Sequence, residues 1–187
     1  LGHGTAEKPA DPDDYRNLEQ RVLDVLPPEP VDGIGFSMGA QVLLWLAAHH
    51  PDRFGRLVVS GIGRNLFEPD VEWRPKMVEA VRTGVAATPE LRYFAQLPES
   101  PDADRTALVA FLERPDRREF PPELLASVTL PVLVVIGGAD LAGPADPLVD
   151  ALPDASLVVL PGVDHFATPK NFSFIEAALD FIDAQPF

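Results

Sequence analysis

The chain has 187 residues, of which 46% are hydrophobic, so it is long enough for one domain with a substantial core. Its formal net charge of −14 repels phosphate groups, and we therefore expect neither a nucleic-acid nor a membrane partner. It contains no cysteine, which excludes disulfides and thiolate metal sites, and no apolar run of membrane-spanning length. We expect a cytoplasmic protein.

The first predicted element is a helix that follows a loop. Residues 1–12 contain several Gly and Pro without periodicity, which indicates a loop. Asp13 or Asp14 is expected to cap the helix, whose apolar positions recur at three- and four-residue spacing as far as Leu26. Such a helix would cover one face of a sheet.

Residues 35–39 read G-F-S-M-G and join an apolar segment that begins at Val31 to a longer apolar segment. This G-x-S-x-G pattern predicts a strand that turns directly into a buried helix. Small residues at the two Gly positions permit a strained backbone between them, which would expose Ser37 Oγ and direct the Met38 N–H at a reacting atom. A phosphate-binding turn of the Walker type would need Lys where Ala40 stands.

Two further apolar runs rich in β-branched residues, 130–136 and 156–160, predict strands. Asp140 follows the first run and His165 follows the second. The carboxyl ends of parallel strands meet at one edge of a sheet, where ligands bind, so we expect Ser37, Asp140 and His165 to lie near one another.

In these motifs the chain resembles the α/β-hydrolase superfamily over nearly its whole length. Residues 2–5 (G-H-G-T) resemble the family's G-H-G-x-S loop, and residues 35–39 resemble its nucleophile elbow. Residues 137–140 resemble its acid loop, and residues 162–165 resemble its histidine loop. The order Ser, Asp, His is also the family's order.

The resemblance implies a role for each matching residue. Ser37 would be the nucleophile, His165 the general base and acid, and Asp140 the carboxylate that orients the imidazole. The Met38 backbone N–H would donate to the oxyanion. Asp164, beside His165, is expected to be a solvated or loop-capping residue. Residues 56–60 predict the remaining strand, and the loop that follows it, residues 61–65, offers no carboxylate as an alternative acid.

The fold class is α/β: the α/β-hydrolase fold, with a parallel doubly wound sheet and a helical cap insertion. Between residues 64 and 128 strand patterns disappear, and helical stretches separated by Pro replace them: 71–85, 88–97 with a cap signal at Thr88, and 102–112. We therefore assign residues 1–63 and 129–187 to the hydrolase core and residues 64–128 to a cap or lid.

The apolar residues of the predicted cap have two possible roles, because they either line an acyl or alcohol pocket or pack the cap. They are Phe67, Trp73, Met77, Phe94, Leu97 and Phe111. A final helix over about 172–184 is expected to bury Phe174 and Ile175, with Ser173 opening a capping box.

The strand count departs from the family's pattern. Four strands are predicted here, whereas the resemblance implies eight, and the missing ones include the neighbour of the strand before Ser37. That strand would lie at an open sheet edge. We expect an N-terminal segment or a second copy of the chain to cover it.

The residues and the resemblance together predict a serine hydrolase that cleaves a small, apolar carboxylic ester or lactone through a Ser-His-Asp triad and an acyl-enzyme. No metal or organic cofactor is required, and His49 and His50 are better explained as helix C-terminal residues than as metal ligands. The alternatives are a non-catalytic ligand-binding or signalling homologue, an inactive fragment, a C–C bond hydrolase or a cofactor-free haloperoxidase.

Overall fold

A computed structural model describes residues 1–115 and 118–184. Over these residues the chain forms four strands: β1 (Val31–Phe36), β2 (Phe54–Ser60), β3 (Val132–Gly137) and β4 (Ala155–Leu160). The α-helices are α1 (Leu18–Leu23), α2 (Met38–His49), α3 (Trp73–Thr83), α4 (Pro89–Gln96), α5 (Arg105–Glu113), α6 (Pro122–Ala126), α7 (Asp146–Ala151) and α8 (Phe172–Phe181).

The four strands form one parallel sheet in the order β1-β2-β3-β4, with helices between them in the sequence. In register, Gly35 lies opposite Val59, which lies opposite Val134, which lies opposite Leu157. Every residue of β3 is buried, as expected for a central parallel strand covered on both faces. The predicted α/β fold with a parallel sheet is confirmed.

Helices pack against the sheet through strand side chains, which alternate between its two faces. α8 contributes Phe174 and Ala178 to a buried cluster with Val58, Leu133 and Val135. α2 packs against β1 and β2, and five of its twelve residues are buried. Because side chains alternate along a strand, the neighbours of these residues in β2 and β3 face the opposite side of the sheet.

β1 lies at one edge of the sheet. Among the described residues it pairs with β2 alone, and Ile34 is 46% exposed. The predicted open edge beside the strand that leads to Ser37 is therefore present in this part of the chain. That another segment or a second copy covers it stays a prediction.

The chain divides into two compact units. The helical unit comprises Leu1–Leu18 and Asp70–Arg117, and the sheet unit comprises Glu19–Pro69 and Arg118–Phe187. α3, α4 and α5 belong to the helical unit, where Leu91 is buried among α3 and α4 residues. No described helix is long and apolar enough to cross a membrane.

The N-terminal helix differs from its prediction. Asp11, not Asp13 or Asp14, accepts the capping hydrogen bond, and the first turn is a short 3₁₀ helix that ends at Tyr15. Asn17 then adopts a left-handed conformation with φ of 57°, so α1 begins only at Leu18. The apolar spacing did not reveal this break because Asn tolerates positive φ without any change in hydrophobicity.

The start of the last helix also differs. Asn171 caps α8 by accepting from the Ser173 and Phe174 N–H groups, so the predicted Ser173 capping box is wrong. Phe174 is buried as predicted, but Ile175 is 42% exposed. Moving the cap two residues toward the N-terminus places Ser173 inside the first turn, where it cannot act as the cap.

Candidate active site

The turn between β1 and α2 carries Ser37 in a strained conformation, with φ of 51° and ψ of −111°. A Cβ on Gly35 would lie 2.7 Å from the Ala40 nitrogen and from the Gly39 carbonyl carbon, so strand and helix can meet this closely only at a glycine. A Cβ on Gly39 would meet no described atom within 4 Å. Of the two glycines, Gly35 is therefore the one that the packing requires.

The N-terminus of α2 offers backbone N–H groups. The side chain of Ser37 makes no capping hydrogen bond, while its own N–H donates to the Ser60 carbonyl at 2.7 Å. Within the described residues the Met38 N–H has no hydrogen-bond acceptor. The first turn of the helix can therefore bind a negatively charged oxygen beside Ser37, with the helix dipole favouring the charge.

His165 and Asp140 form a buried pair. His165 Nδ1 lies 2.9 Å from Asp140 Oδ1, and the exposed fractions of the two side chains are 7% and 0%. Asp140 Oδ1 also accepts from the Ala142 N–H at 2.8 Å. When Nδ1 carries the proton shared with the carboxylate, Nε2 is the nitrogen left to take a proton.

Main-chain hydrogen bonds connect the loops that carry this pair. The Ala139 N–H, in the loop after β3, donates to the Val163 carbonyl in the loop after β4 at 3.0 Å. The Arg64 N–H, in the loop after β2, donates to the Pro144 carbonyl at 2.9 Å. The loops after the two neighbouring strands, β2 and β4, therefore hold the Asp140 loop in position through main-chain atoms.

An aromatic environment surrounds the imidazole. The Phe36 ring lies 4.7 Å from the His165 ring, centroid to centroid, and the Phe166 ring meets it edge-on at 5.3 Å. The sequence pattern does not reveal this role of Phe36, because the second position of G-x-S-x-G has no fixed residue type. Its place directly before Ser37 was the one available signal.

The structure brings Asp140 and His165 together as predicted, and it buries the Asp140 side chain completely. The sequence could not reveal this burial, because the loops after β2 and β4 that enclose the carboxylate are distant in the chain. Asp164 caps its own loop by accepting from the Ala167 N–H at 2.8 Å, which confirms the prediction for it.

His3 and several apolar residues of the predicted cap belong to the helical unit. The ring of His3, in the loop that resembles G-H-G-x-S, packs edge-on against Phe111 in the helical unit. Trp73 contacts Phe94 at 6.1 Å, centroid to centroid, within the same unit. These contacts favour the packing role for the apolar helical residues.

The remaining histidines lie near the end of α2. The His49 ring stacks on Trp45, and its Nδ1 lies 2.8 Å from the Trp45 carbonyl oxygen, as suits a helix C-terminus. Within residues 1–115 and 118–184 no three His, Asp or Glu residues group closely enough to hold a metal ion.

A parallel sheet with a strained serine at a strand-to-helix turn has the architecture of an α/β hydrolase. Residues 1–182 match the Alpha/beta hydrolase family, and the chain belongs to this family.

Two curated relatives are enzymes. The chain is 32% identical over 137 residues to a pimeloyl-[acyl-carrier protein] methyl ester esterase of Neisseria meningitidis serogroup A, a match that covers 62% of the chain and 44% of the relative. It is 42% identical over 65 residues to a 2-hydroxymuconate semialdehyde hydrolase of a Pseudomonas species, covering 33% of the chain and 23% of the relative. The chain thus spans half or less of the length of these relatives.

Solved structures share the fold. A serine hydrolase involved in carbazole degradation is 25% identical, with a TM-score of 0.65 over 98% of this chain and 76% of that one. A hydrolase from Pseudomonas aeruginosa is 24% identical, with a TM-score of 0.71 over 98% and 77%. An enol-lactonase from Burkholderia xenovorans is 22% identical, with a TM-score of 0.68 over 97% and 78%.

Proposed function

We propose that this protein is a serine hydrolase that cleaves a small, apolar carboxylic ester or lactone through a covalent acyl-enzyme. The observation that carries the proposal is the buried hydrogen bond between His165 Nδ1 and Asp140 Oδ1, in the same unit as the strained Ser37. A buried carboxylate that fixes the imidazole tautomer is what activation of a serine by histidine requires.

In the first half-reaction Ser37 Oγ attacks the substrate carbonyl carbon and His165 Nε2 takes the serine proton. The Met38 N–H donates to the oxyanion that forms, and Asp140 stabilises the imidazolium through Nδ1. The tetrahedral intermediate then breaks its bond to the leaving oxygen, which takes the proton from Nε2. An acyl-Ser37 ester and an alcohol result.

Water completes the cycle. It attacks the acyl carbon while Nε2 takes one of its protons, and the same Met38 N–H binds the second oxyanion. Collapse of this intermediate returns the proton to Ser37 Oγ and releases the carboxylic acid. No step needs a metal or an organic cofactor.

Two relatives support the proposed substrate class. Esters and lactones share an acyl carbon bonded to oxygen, and relatives include a methyl ester esterase and, at the level of fold, an enol-lactonase. We also propose that residues 64–128 act as a cap that selects the acyl or alcohol group, since variation outside the catalytic residues is how one fold serves many substrates.

A fluorophosphonate probe tests the nucleophile. The wild-type protein should be labelled at Ser37, and Ser37→Ala should not be labelled. Ser60→Ala is the matched control, because Ser60 ends the neighbouring strand and its buried Oγ makes no hydrogen bond among the described residues. Equal labelling of wild type and Ser37→Ala would exclude Ser37, and labelling without hydrolysis of any aryl ester or lactone would favour a ligand-binding homologue.

A second candidate is C–C bond hydrolysis, favoured by the match to 2-hydroxymuconate semialdehyde hydrolase. The same serine and histidine would act on a carbonyl carbon whose leaving group is carbon. Turnover of 2-hydroxymuconate semialdehyde at a higher kcat/KM than short-chain aryl esters and lactones would support this candidate, and the reverse ranking would support the ester or lactone proposal.

A further inference from the structure

The imidazole of His165 has a hydrogen bond at one nitrogen, and one bond does not fix the orientation of a ring. Nδ1 is held by Asp140, but the torsion between Cβ and an aromatic ring is broad. Without further contacts the ring can pivot about this hydrogen bond, which would move Nε2. A catalytic base needs its nitrogen held to within a fraction of an ångström.

Phe36 supplies the next contact. Its ring and the imidazole are 4.7 Å apart, centroid to centroid, and inclined at 43°. This distance lies within the range of favourable aromatic pairs. Because Phe36 is the residue directly before Ser37, the element that presents the serine also supports the imidazole.

Gly61 makes room for both rings. This residue follows β2 with φ of 67°, and a Cβ built on it would lie 2.5 Å from Phe36 Cε2 and 3.0 Å from His165 Cε1. Cε1 is the carbon between the two ring nitrogens. The backbone of Gly61 therefore lies beside the Cε1 edge of the imidazole, and the Phe36 ring packs against the same imidazole at a tilt of 43°.

We propose that Phe36 and Gly61 form a contact surface that sets the orientation of the His165 ring, and that Phe36 is a positioning residue for the reaction. This inference rests on the proposed function. Asp140 holds Nδ1, Gly61 limits movement of the Cε1 edge, and contact with the tilted Phe36 ring restricts the remaining rotation. Nε2 then keeps one direction through the catalytic cycle.

The kinetics of three variants test whether Phe36 orients the His165 ring. Phe36→Leu should lower kcat on an aryl ester about 10- to 100-fold with little change in KM, because a small displacement of a catalytic group has this cost. Phe36→Tyr should retain most of the wild-type kcat, since tyrosine keeps the planar ring that leucine lacks. Phe174→Leu, which removes a buried ring from the α8 side of the sheet, is the matched control and should lower stability but not kcat.

The coupling between Phe36 and Gly61 gives a second measurement. Gly61→Ala should lower kcat more in the wild-type background than in the Phe36→Leu background, because the Leu side chain removes the ring atom that the new methyl group would meet. Additive effects on kcat, or a Phe36→Leu variant with kcat within about twofold of wild type, would overturn the proposal.

A spectroscopic readout separates this inference from the proposed function. The proton shared by His165 Nδ1 and Asp140 should give a downfield NMR signal that is lost in Asp140→Asn. In Phe36→Leu we expect this proton to exchange with water faster, whether or not the protein turns over any ester. An unchanged exchange rate of this proton would overturn the proposed role of Phe36 and Gly61. A failed labelling of Ser37 would overturn only the proposed function.

Discussion

Different kinds of contact hold the loops around His165 in the sheet unit and the helix ends in the helical unit. In the sheet unit the loops near His165 are joined by main-chain hydrogen bonds, such as Ala139 N–H to the Val163 carbonyl. In the helical unit long side chains make the connections: the Arg74 guanidinium donates to the carbonyls of Leu112 and Arg114 at the end of α5.

This difference has a functional reading. Main-chain bonds and closely packed glycines fix positions with little dependence on side-chain identity, as a catalytic centre requires. Arginine side chains reach their acceptors through several rotatable bonds. The positions of the helices that they join can therefore vary more. Under the proposed function, the sheet unit would conserve the chemistry while the helical unit adapts to the substrate.

The largest expected effect tests whether the chemistry resides in the sheet unit. Asp140→Asn should lower kcat about 10³- to 10⁴-fold, because the amide cannot stabilise the imidazolium and favours the wrong tautomer. Asp164→Asn, one residue from His165, is the matched control and should change kcat by less than about threefold. Because Asp140 is buried and bonds the Ala142 N–H, Asp140→Asn should also lower stability. A reversed ranking of the two variants would refute the assignment of the acid.

The next effect tests the close approach of strand and helix at the elbow. Gly35→Ala should lower the free energy of unfolding by about 2–4 kcal/mol, since its methyl group would lie 2.7 Å from backbone atoms that cannot move freely. Gly39→Ala should change it by less than about 1 kcal/mol, because its methyl group meets no described atom. Chemical denaturation measures both. Equal losses would show that the elbow is not constrained by Gly35.

A smaller effect is expected in the helical unit. Arg74→Met keeps much of the apolar stem but removes the hydrogen bonds to the Leu112 and Arg114 carbonyls, so stability should fall by about 1–3 kcal/mol. Lys76→Met, on an exposed position of the same helix, is the control. kcat on a small aryl ester should be unchanged in both. A large loss of kcat in Arg74→Met would show that the two units do not divide their roles in this way.

The smallest effect concerns Tyr15, whose ring packs against Phe111 in the helical unit and whose hydroxyl donates to the Pro9 carbonyl. Burial raises the pKa of this phenol above its ordinary value of 10.0. Its contribution to stability is therefore complete below that pH and is lost as the pH rises through the folded pKa. An alkaline absorbance titration should lose its later-ionising component in Tyr15→Phe, and an unchanged titration would contradict the shift.

The local features of this protein could be predicted from residue type and spacing alone. The parallel strands, the turn at Ser37 and the helix cap at Thr88 were all predicted from residue type and spacing, and the structure has each of them. These features depend on backbone preferences and hydrophobic periodicity within about ten residues, which a sequence displays directly.

Contacts between residues that are distant in the chain could not be predicted and became visible in the folded protein. Three such contacts arise where separate loops converge at the ends of the four strands. They are the burial of Asp140, the packing of the Phe36 ring against His165, and the space that Gly61 leaves for these two rings. No periodicity encodes such contacts, because they depend on how the strand ends align across the sheet. The identities of the candidate catalytic residues could therefore be predicted from the sequence, whereas the contacts that orient them could not.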